Sequence, residues 1–339
     1  MITVIFLMTG ATAGVGFLPG YATIGLLAPI LLVLLRAAQG LAVGGELGAV
    51  AVFIIENAQS PQRGQAGSWQ TATMAIGIGA GMGIAGVLSL LFGDTERWSG
   101  WWRIAFLLAL PLGLVGLQLR RRVAETQPFV ALRTTSQLVE HPARELWRRH
   151  KVALLRVFCL IAAGSLAFNT FFIFMPNNLI SRHGSGLSPT LLATAVALAV
   201  TGAAALLLGR LSDRVGRRPV VIGSCLVLVV LAIPTTVLAT RGSLWGLVLA
   251  QAVIGTAIAG VFSFAMLCEA FPAPVRSTGV ALSAGVATAL IGGSAPWIAQ
   301  ALVTVTAAET APGIYVAAVG GLALVALRTW PETAFRNLN

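Results

Sequence analysis

The chain has 339 residues, of which 57% are hydrophobic and only 10% carry a charge. Soluble domains are about 45–50% apolar and about 25% charged, so this composition excludes a cytosolic enzyme and a secreted domain. The formal net charge is +11. The basic residues lie in short clusters between long apolar runs, however, and not on one water-facing surface, which argues against a nucleic-acid partner.

Ten apolar stretches follow one another along the chain, each suited to cross a bilayer as a helix. A hydrocarbon core about 30 Å thick needs about 20 apolar residues in a helix, and these runs do not alternate as membrane strands do. The predicted spans are residues 2–18, 29–55, 65–91, 103–119, 154–180, 187–209, 219–239, 243–269, 278–304 and 311–328. We therefore predict an all-α integral membrane protein with ten transmembrane helices.

The distribution of Lys and Arg predicts how these helices are oriented. One set of connections holds 17 of the 22 basic residues, the opposite set holds four, and Arg36 lies inside a span. Because cytoplasmic loops are enriched in Lys and Arg, the first set should face the cytoplasm. We expect a multi-pass protein of the plasma (cytoplasmic) membrane with both termini cytoplasmic.

The longest connection, residues 121–151, separates a partial N-terminal bundle of four helices (1–120) from a C-terminal bundle of six (152–339). Its mixture of basic and apolar residues predicts a solvated cytoplasmic loop with a helix on the membrane surface. A regulatory or partner-binding role is the alternative.

Two turns on the basic side share one spacing. Residues 56–63 read Glu-Asn-Ala-Gln-Ser-Pro-Gln-Arg, and residues 269–276 read Glu-Ala-Phe-Pro-Ala-Pro-Val-Arg, at an offset of 213 residues. Such duplication is typical of secondary transporters. At that offset, the counterparts of helices 154–180 and 187–209 would lie before Met1. We therefore expect a repeat of six helices, with the first repeat lacking its first two and a twelve-helix parent implied.

Six segments resemble the signatures of a known family. They are RAAQG at 36–40 with GGE at 44–46, WWRIAF at 101–106, RVAET at 122–126, GRLSDRVGRRP at 209–219, FP at 271–272 with Arg276, and GGSAP at 292–296. These segments resemble the major facilitator superfamily, and within it the metabolite:proton symporters. Residues 163–171 look most like α-ketoglutarate permeases, which commonly carry Tyr where Asn169 stands.

The resemblance implies a bundle of two six-helix repeats and a secondary active transporter. It implies proton-coupled symport of a small organic acid, similar to 2-oxoglutarate, by alternating access. Carriers of shikimate, citrate or a betaine-type osmolyte share most of these motifs and stay alternatives. A non-transporting truncated remnant or sensor is an alternative of another class.

Arg36 is the main candidate for binding substrate, together with Gln39 and Asn169. Arg36 lies about 10–12 Å into its helix at 1.5 Å per residue, where a charge usually faces a cavity or a partner. Its planar guanidinium suits a carboxylate substrate. The alternative is a structural salt bridge to a carboxylate on another helix. Asn169 lies in mid-span, where it could contact substrate.

A second set of residues is predicted to act in gating or proton coupling: Glu46, Glu56, Arg63, Asp213, Arg214, Arg217, Arg218, Glu269 and Arg276. Glu46 either titrates during transport or pairs with a gate arginine, since a desolvated carboxylate has a raised pKa. The cluster at 209–219 can hold the cytoplasmic side closed through a charge network. Its basic residues also fix the topology, and that role needs no gating.

Glycines are expected to set the packing. Gly40, Gly44 and Gly48 recur every four residues and should let a neighbouring helix approach closely. Gly216 should allow the tight turn within the basic cluster. The three cysteines lie inside apolar runs and form no disulfide framework.

Catalytic and cofactor-binding patterns are missing from this sequence. It contains no paired acids, Cys-x-x-Cys or P-loop motif, and the three histidines lie in connections. We therefore predict a monomer that is not an enzyme, binds neither cofactor nor metal, and has the lipid bilayer, protons and a small organic acid as its partners.

Overall fold

The computed structural model describes residues 2–93, 100, 102–120 and 142–334, without the side chains at positions 2, 3, 41, 43–46 and 120. Every regular element in that part of the chain is helical. The fold is therefore all-α, as the apolar runs predict.

Ten helical stretches make up most of these residues, and we number them in chain order. They are α1 (Ile2–Phe17), α2 (Leu27–Asn57), α3 (Arg63–Phe92), α4 (Trp102–Leu107 and Ala109–Arg120), α5 (Lys151–His183), α6 (Leu187–Val215), α7 (Arg217–Thr240), α8 (Leu244–Val261 and Phe264–Glu269), α9 (Arg276–Ala287, Thr288–Gly292 and Ala295–Thr306) and α10 (Ala311–Leu327). Short helices at Tyr21–Ile24 and Pro142–Arg149 lie in connections.

Each of the ten predicted spans coincides with one of these helices. By length and composition, seven helices of the described part can cross a membrane. These seven helices are α3 to α9. Shorter apolar stretches occupy Val4–Phe17, Leu27–Gly40, Leu47–Asn57 and Ala311–Leu327. The helices thus suit a membrane, while the count of ten crossings stays a prediction.

The two related turns also share their local structure. A single 3₁₀ turn precedes α3 at Ser60–Gln62 and another precedes α9 at Ala273–Val275, each with a proline near its start. The ring of proline fixes φ near the helical value, and its missing N–H costs nothing at a helix start. Equal spacing in the sequence therefore gives equal geometry in the two repeats.

Helices α3 and α6 run antiparallel in close contact along most of their length. A Cβ built on Gly64 would lie 2.8 Å from the carbonyl oxygen of Gly209. At the other end of the pair, the Ser188 hydroxyl donates to the Gly86 carbonyl at 2.8 Å. Small residues allow this approach, and the two repeats are joined by it.

The core lies mainly in the C-terminal bundle. Phe171 and Phe172 of α5 and Leu228 of α7 are fully buried there. Many apolar side chains of α1, α2 and α4 are exposed instead, among them Phe6 and Leu34. Exposed apolar side chains of this kind suit contact with lipid.

Candidate gate and substrate site

An ion pair joins the two related turns. Glu56, which ends α2, pairs with Arg276, which begins α9, at 2.9 Å between Oε1 and Nη1. Their side chains are only 7% and 2% exposed. An acid of the first repeat therefore bonds a base of the second repeat.

The reciprocal acid lies in a related arrangement. Glu269, which ends α8, lies 3.7 Å from the Arg217 guanidinium and interacts electrostatically with Arg63 at the start of α3. Its side chain is 5% exposed. Glu56 thus bonds a base across the junction of the repeats, whereas Glu269 contacts Arg217 of its own repeat and interacts electrostatically with Arg63 of the first.

Asp213, near the end of α6, caps the start of α3. Its two carboxylate oxygens accept the backbone N–H groups of Gly64 at 2.8 Å and Gln65 at 2.7 Å. Arg217 donates to the same carboxylate at 2.6 Å. The first N–H groups of a helix lack internal partners and carry partial positive charge, so a buried carboxylate is well placed there. A side chain at Gly64 would collide with Arg217, which explains the glycine.

Glu332 completes the network, and sequence reasoning missed it. Its carboxylate accepts the backbone N–H groups of Arg217 and Arg218 at the start of α7, and those of Thr333 and Ala334. Burial tends to raise the pKa of the Glu332 carboxyl, but these four N–H groups bond its charged form and hold the pKa below its usual value. An acid directly after the last apolar run of a charge-poor chain was the available signal.

The remaining residues of the basic cluster differ in how far they are buried. Gly216 has φ +107°, a left-handed value that favours glycine, and links α6 to α7. Arg218 also donates to the Arg328 carbonyl at 2.9 Å. Arg214 and Arg210 are exposed. The buried part of the network is therefore Arg217 with Glu269, and Asp213 beside them is partly buried.

Arg36 lies among neutral groups. It donates to Gln39 Oε1 at 3.2 Å, and Gln39 donates in turn to the Thr12 hydroxyl of α1 at 2.8 Å. Its guanidinium carbon lies 5.8 Å from the centre of the Phe106 ring of α4. Within the described side chains, Arg36 has no recorded salt bridge, so it keeps capacity for a carboxylate.

The glycines of α2 differ from one another. A Cβ on Gly48 would lie 2.7 Å from the Ser277 carbonyl oxygen, so α2 packs tightly on α9 at this point. A Cβ on Gly40 would meet no described atom within 4 Å. Gly40 is exposed, and the close packing expected there is not seen among the described atoms. The predictions for Glu46 and the glycine at 44 fall on side-chain positions outside the described set.

Asn169 lies where two π-helical turns meet. These turns are Asn169–Phe174 in α5 and Thr288–Gly292 in α9. Asn169 donates to the Ser165 carbonyl at 2.9 Å, and the Ser165 hydroxyl lies 3.2 Å from that of Thr288. A Cβ on Gly292 would lie 3.1 Å from Asn169 Nδ2. No recorded hydrogen bond in the described part links this site to Arg36 or Gln39.

An all-helical bundle with apolar outer faces and buried charges exchanged between repeats defines a membrane transport protein. The chain belongs to the Major Facilitator Superfamily, whose family model matches residues 1–296. It is a transporter and not an enzyme, and the predicted family is confirmed.

Several curated transporters resemble the chain over most of its length. The proline/betaine transporter of Salmonella typhimurium is 32% identical over 98% of this chain and 69% of its own. The alpha-ketoglutarate permease of Escherichia coli is 34% identical over 89% of this chain and 70% of its own. The citrate-proton symporter of Klebsiella pneumoniae is 30% identical over 95% and 73%.

A solved structure supports the fold. The proton:xylose symporter XylE, bound to 6-bromo-6-deoxy-D-glucose, superposes with a TM-score of 0.77 and covers 99% of this chain and 81% of that one. At 16% identity, this likeness concerns the fold alone.

Proposed function

We propose that this protein is a proton-coupled symporter that moves a small organic acid of the 2-oxoglutarate or dicarboxylate class by alternating access. The exchanged pair of Glu56 and Arg276 carries this proposal. Both side chains are almost fully buried at the junction of the two repeats. A buried ion pair recovers little more than its own desolvation cost, so it can separate and reform as the repeats move apart and together.

Asp213 and Glu269 belong to the same gate. The Asp213 cap joins the C-terminal bundle to the start of α3. Glu269 contacts Arg217 in the basic turn of its own bundle. When these contacts are closed, this end of the bundle is sealed. Arg63, Arg214, Arg218 and Gly216 support the turns, and Glu46 is the further proton-coupling candidate.

Arg36, Gln39 and Asn169 are proposed to bind the substrate. Arg36 presents a permanent positive charge among neutral partners, which suits a carboxylate. The relatives named for proline and betaine make a zwitterionic osmolyte the second candidate, and they cover 98% of this chain. Citrate and shikimate also carry carboxylates, so Arg36 has one role in every case.

The protein is proposed to lie in the plasma membrane. Its topology has ten crossings, with both termini in the cytoplasm. The bundles are 1–120 and 152–339, with the loop 121–151 between them, and the protein acts as a monomer. A non-transporting remnant or sensor is the alternative of another class.

Cysteine labelling tests the topology. In a cysteine-free chain, Arg214→Cys should react only with reagent applied from the cytoplasmic side, because Arg214 is exposed beside the proposed gate. Arg241→Cys, exposed in the connection between α7 and α8, is the matched variant for the opposite side. Reaction of both from one side contradicts the proposed orientation.

Uptake into proteoliposomes tests the transport. With an inward proton gradient, 2-oxoglutarate should accumulate more than citrate, shikimate, proline or glycine betaine, and a protonophore should abolish this. Arg36→Lys should raise KM or stop uptake, because an ammonium cannot reproduce the bidentate fork.

The matched control is Arg182→Lys, since Arg182 forms an exposed pair with Glu309 at 3.4 Å. Full activity of the Arg36→Lys variant contradicts the role of Arg36. Uptake of proline or betaine in place of 2-oxoglutarate selects the second substrate class.

A further inference from the structure

Helix α5 becomes π-helical at Asn169–Phe174, and a proline determines which carbonyl loses its partner there. The Met175 N–H bonds to the Thr170 carbonyl, five residues back. By the same spacing, the Phe171 carbonyl would pair with residue 176, but Pro176 has no N–H. The π-helical spacing therefore leaves the Phe171 carbonyl without a backbone donor.

A side-chain amide from another helix takes that place. Gln251 of α8 is fully buried, and its Nε2 donates to the Phe171 carbonyl at 2.9 Å. The same nitrogen lies 3.3 Å from the Thr194 hydroxyl of α6. A buried amide is unfavourable unless it is hydrogen-bonded, so this carbonyl explains why an amide is tolerated among apolar neighbours.

The amide selects one of two helical spacings. In an uninterrupted α-helix the Met175 N–H would reach the Phe171 carbonyl, and Pro176 would leave the Phe172 carbonyl without a donor. Gln251 bonds the Phe171 carbonyl and therefore favours the π-helical spacing. One residue corresponds to about 100° of helix rotation. A change of spacing therefore rotates the part of α5 after the π-helical turn relative to the part before it.

Some buried polar atoms at the π-helical turn have no hydrogen-bond partner. In the described part of the chain, the Thr170 hydroxyl and Gln251 Oε1 are buried without a hydrogen-bond partner. Short π-helical turns are also uncommon and recur at functional sites. The turn therefore depends on the bond from Gln251 more than an ordinary helical turn depends on one contact.

We propose that Gln251 is a positioning residue, which holds α5 π-helical and thereby keeps Asn169 against the π-helical turn of α9. This inference rests on the proposed transport function, in which Asn169 contacts the substrate. It adds a residue that touches no substrate and acts through the Phe171 carbonyl. The contacts among Asn169, Ser165 and Thr288 lie where this π-helical turn begins.

The test compares Gln251→Met with the unmodified full chain in proteoliposomes. Methionine keeps the length of the side chain but removes the donor. Without substrate, deuterium exchange should become faster in the peptide 169–183. In uptake of 2-oxoglutarate and of proline, KM should rise about fivefold, which corresponds to one typical hydrogen bond, while Vmax changes little.

Pro176→Ala separates positioning from simple packing. An alanine supplies an N–H at residue 176, so the Phe171 carbonyl has a backbone donor in either spacing. Adding Gln251→Met to this background should then change exchange and KM much less than in the unmodified chain. Gln300→Met is the matched control, because Gln300 is an exposed amide of α9 bonded to Thr304, and it should change neither.

Two results overturn the inference. One is exchange in 169–183 that stays at the unmodified level in Gln251→Met. The other is a Gln251→Met effect that is as large in the Pro176→Ala background. If exchange responds as expected but the unmodified chain takes up neither probe, the role of Gln251 in holding α5 stands and the proposed function fails.

Discussion

The buried polar contacts are charged where the two repeats meet and neutral inside the C-terminal bundle. At the related turns, Glu56 and Glu269 face guanidinium groups. Between α5 and α9, the contact uses the hydroxyls of Ser165 and Thr288 and the amide of Asn169. Charges buried far from water are costly, so they lie where separation of the repeats can rehydrate them.

The difference assigns the two regions different tasks. A neutral hydrogen bond costs little desolvation and can hold a fixed geometry at mid-depth. An ion pair that breaks even against its desolvation suits a contact that must open. The four changes below should separate these tasks, and they run from the largest expected effect to the smallest.

Removal of Arg276 should have the largest effect. Arg276→Ala leaves the buried Glu56 carboxylate without its nearest base, which should lower the free energy of unfolding by about 3–5 kcal/mol. Chemical unfolding in detergent measures this. The double variant Glu56→Leu with Arg276→Met should recover most of the loss, because it removes both charges. A double variant no more stable than the single one would show that the pair is not coupled.

At mid-depth, a side chain at Gly292 should crowd the neutral contact. A Cβ there would lie 3.0 Å from the Ser165 Cβ, and Gly292→Val should cost about 1–3 kcal/mol by overpacking. Gly285→Val is the matched control on the same helix, where a Cβ would meet no described atom within 4 Å. Equal thermal shifts in the two variants would contradict a tight contact at Gly292.

Neutralising Asp213 should have a smaller effect. Asp213→Asn keeps one oxygen for the N–H groups of Gly64 and Gln65 but loses the charge at the start of α3. The cost should be about 0.5–2 kcal/mol, as for other helix caps. Glu145→Gln, in the exposed pair with Arg149 at 3.3 Å, is the matched control and should cost less than about 1 kcal/mol. Equal unfolding curves for both variants would rule out the cap.

The sequence predicts the helices and the turns well, because apolar length and proline position act locally. The ten predicted spans coincide with helices, and the spacing of residues 56–63 and 269–276 gives the same 3₁₀ turn in both repeats. The exchange of Glu56 and Arg276 between those turns does not follow from spacing. Spacing shows which residues are equivalent but not which side chains meet across the junction.

Other features of the site depend on long-range geometry. Glu332 bonds Arg217 across 115 positions of the chain, and neither residue's neighbours in sequence indicate that bond. The π-helical turn at Asn169–Phe174 inserts one residue into an apolar run, which hydrophobic periodicity cannot detect. Gln251 is one amide in such a run, and only the position of Pro176 gives it a partner.

The smallest effect should come from Glu332 and should depend on pH. The pKa of this carboxyl is lower in the folded protein than in the unfolded chain, because backbone N–H groups bond its charged form. Its contribution to stability is therefore complete above the unfolded pKa, about 4.3 for a glutamate, and is lost as pH falls through the lower folded pKa. Unfolding curves of the unmodified chain and Glu332→Gln should differ at neutral pH and converge in acid. Other acids that titrate there are present in both proteins, but the charge of Glu269 interacts with that of Glu332, so the substitution also changes the titration of Glu269. Glu309→Gln, in an exposed pair with Arg182, should show little difference at any pH. A gap between the unmodified chain and Glu332→Gln that persists unchanged in acid would mean that the charge of Glu332 does not hold the start of α7.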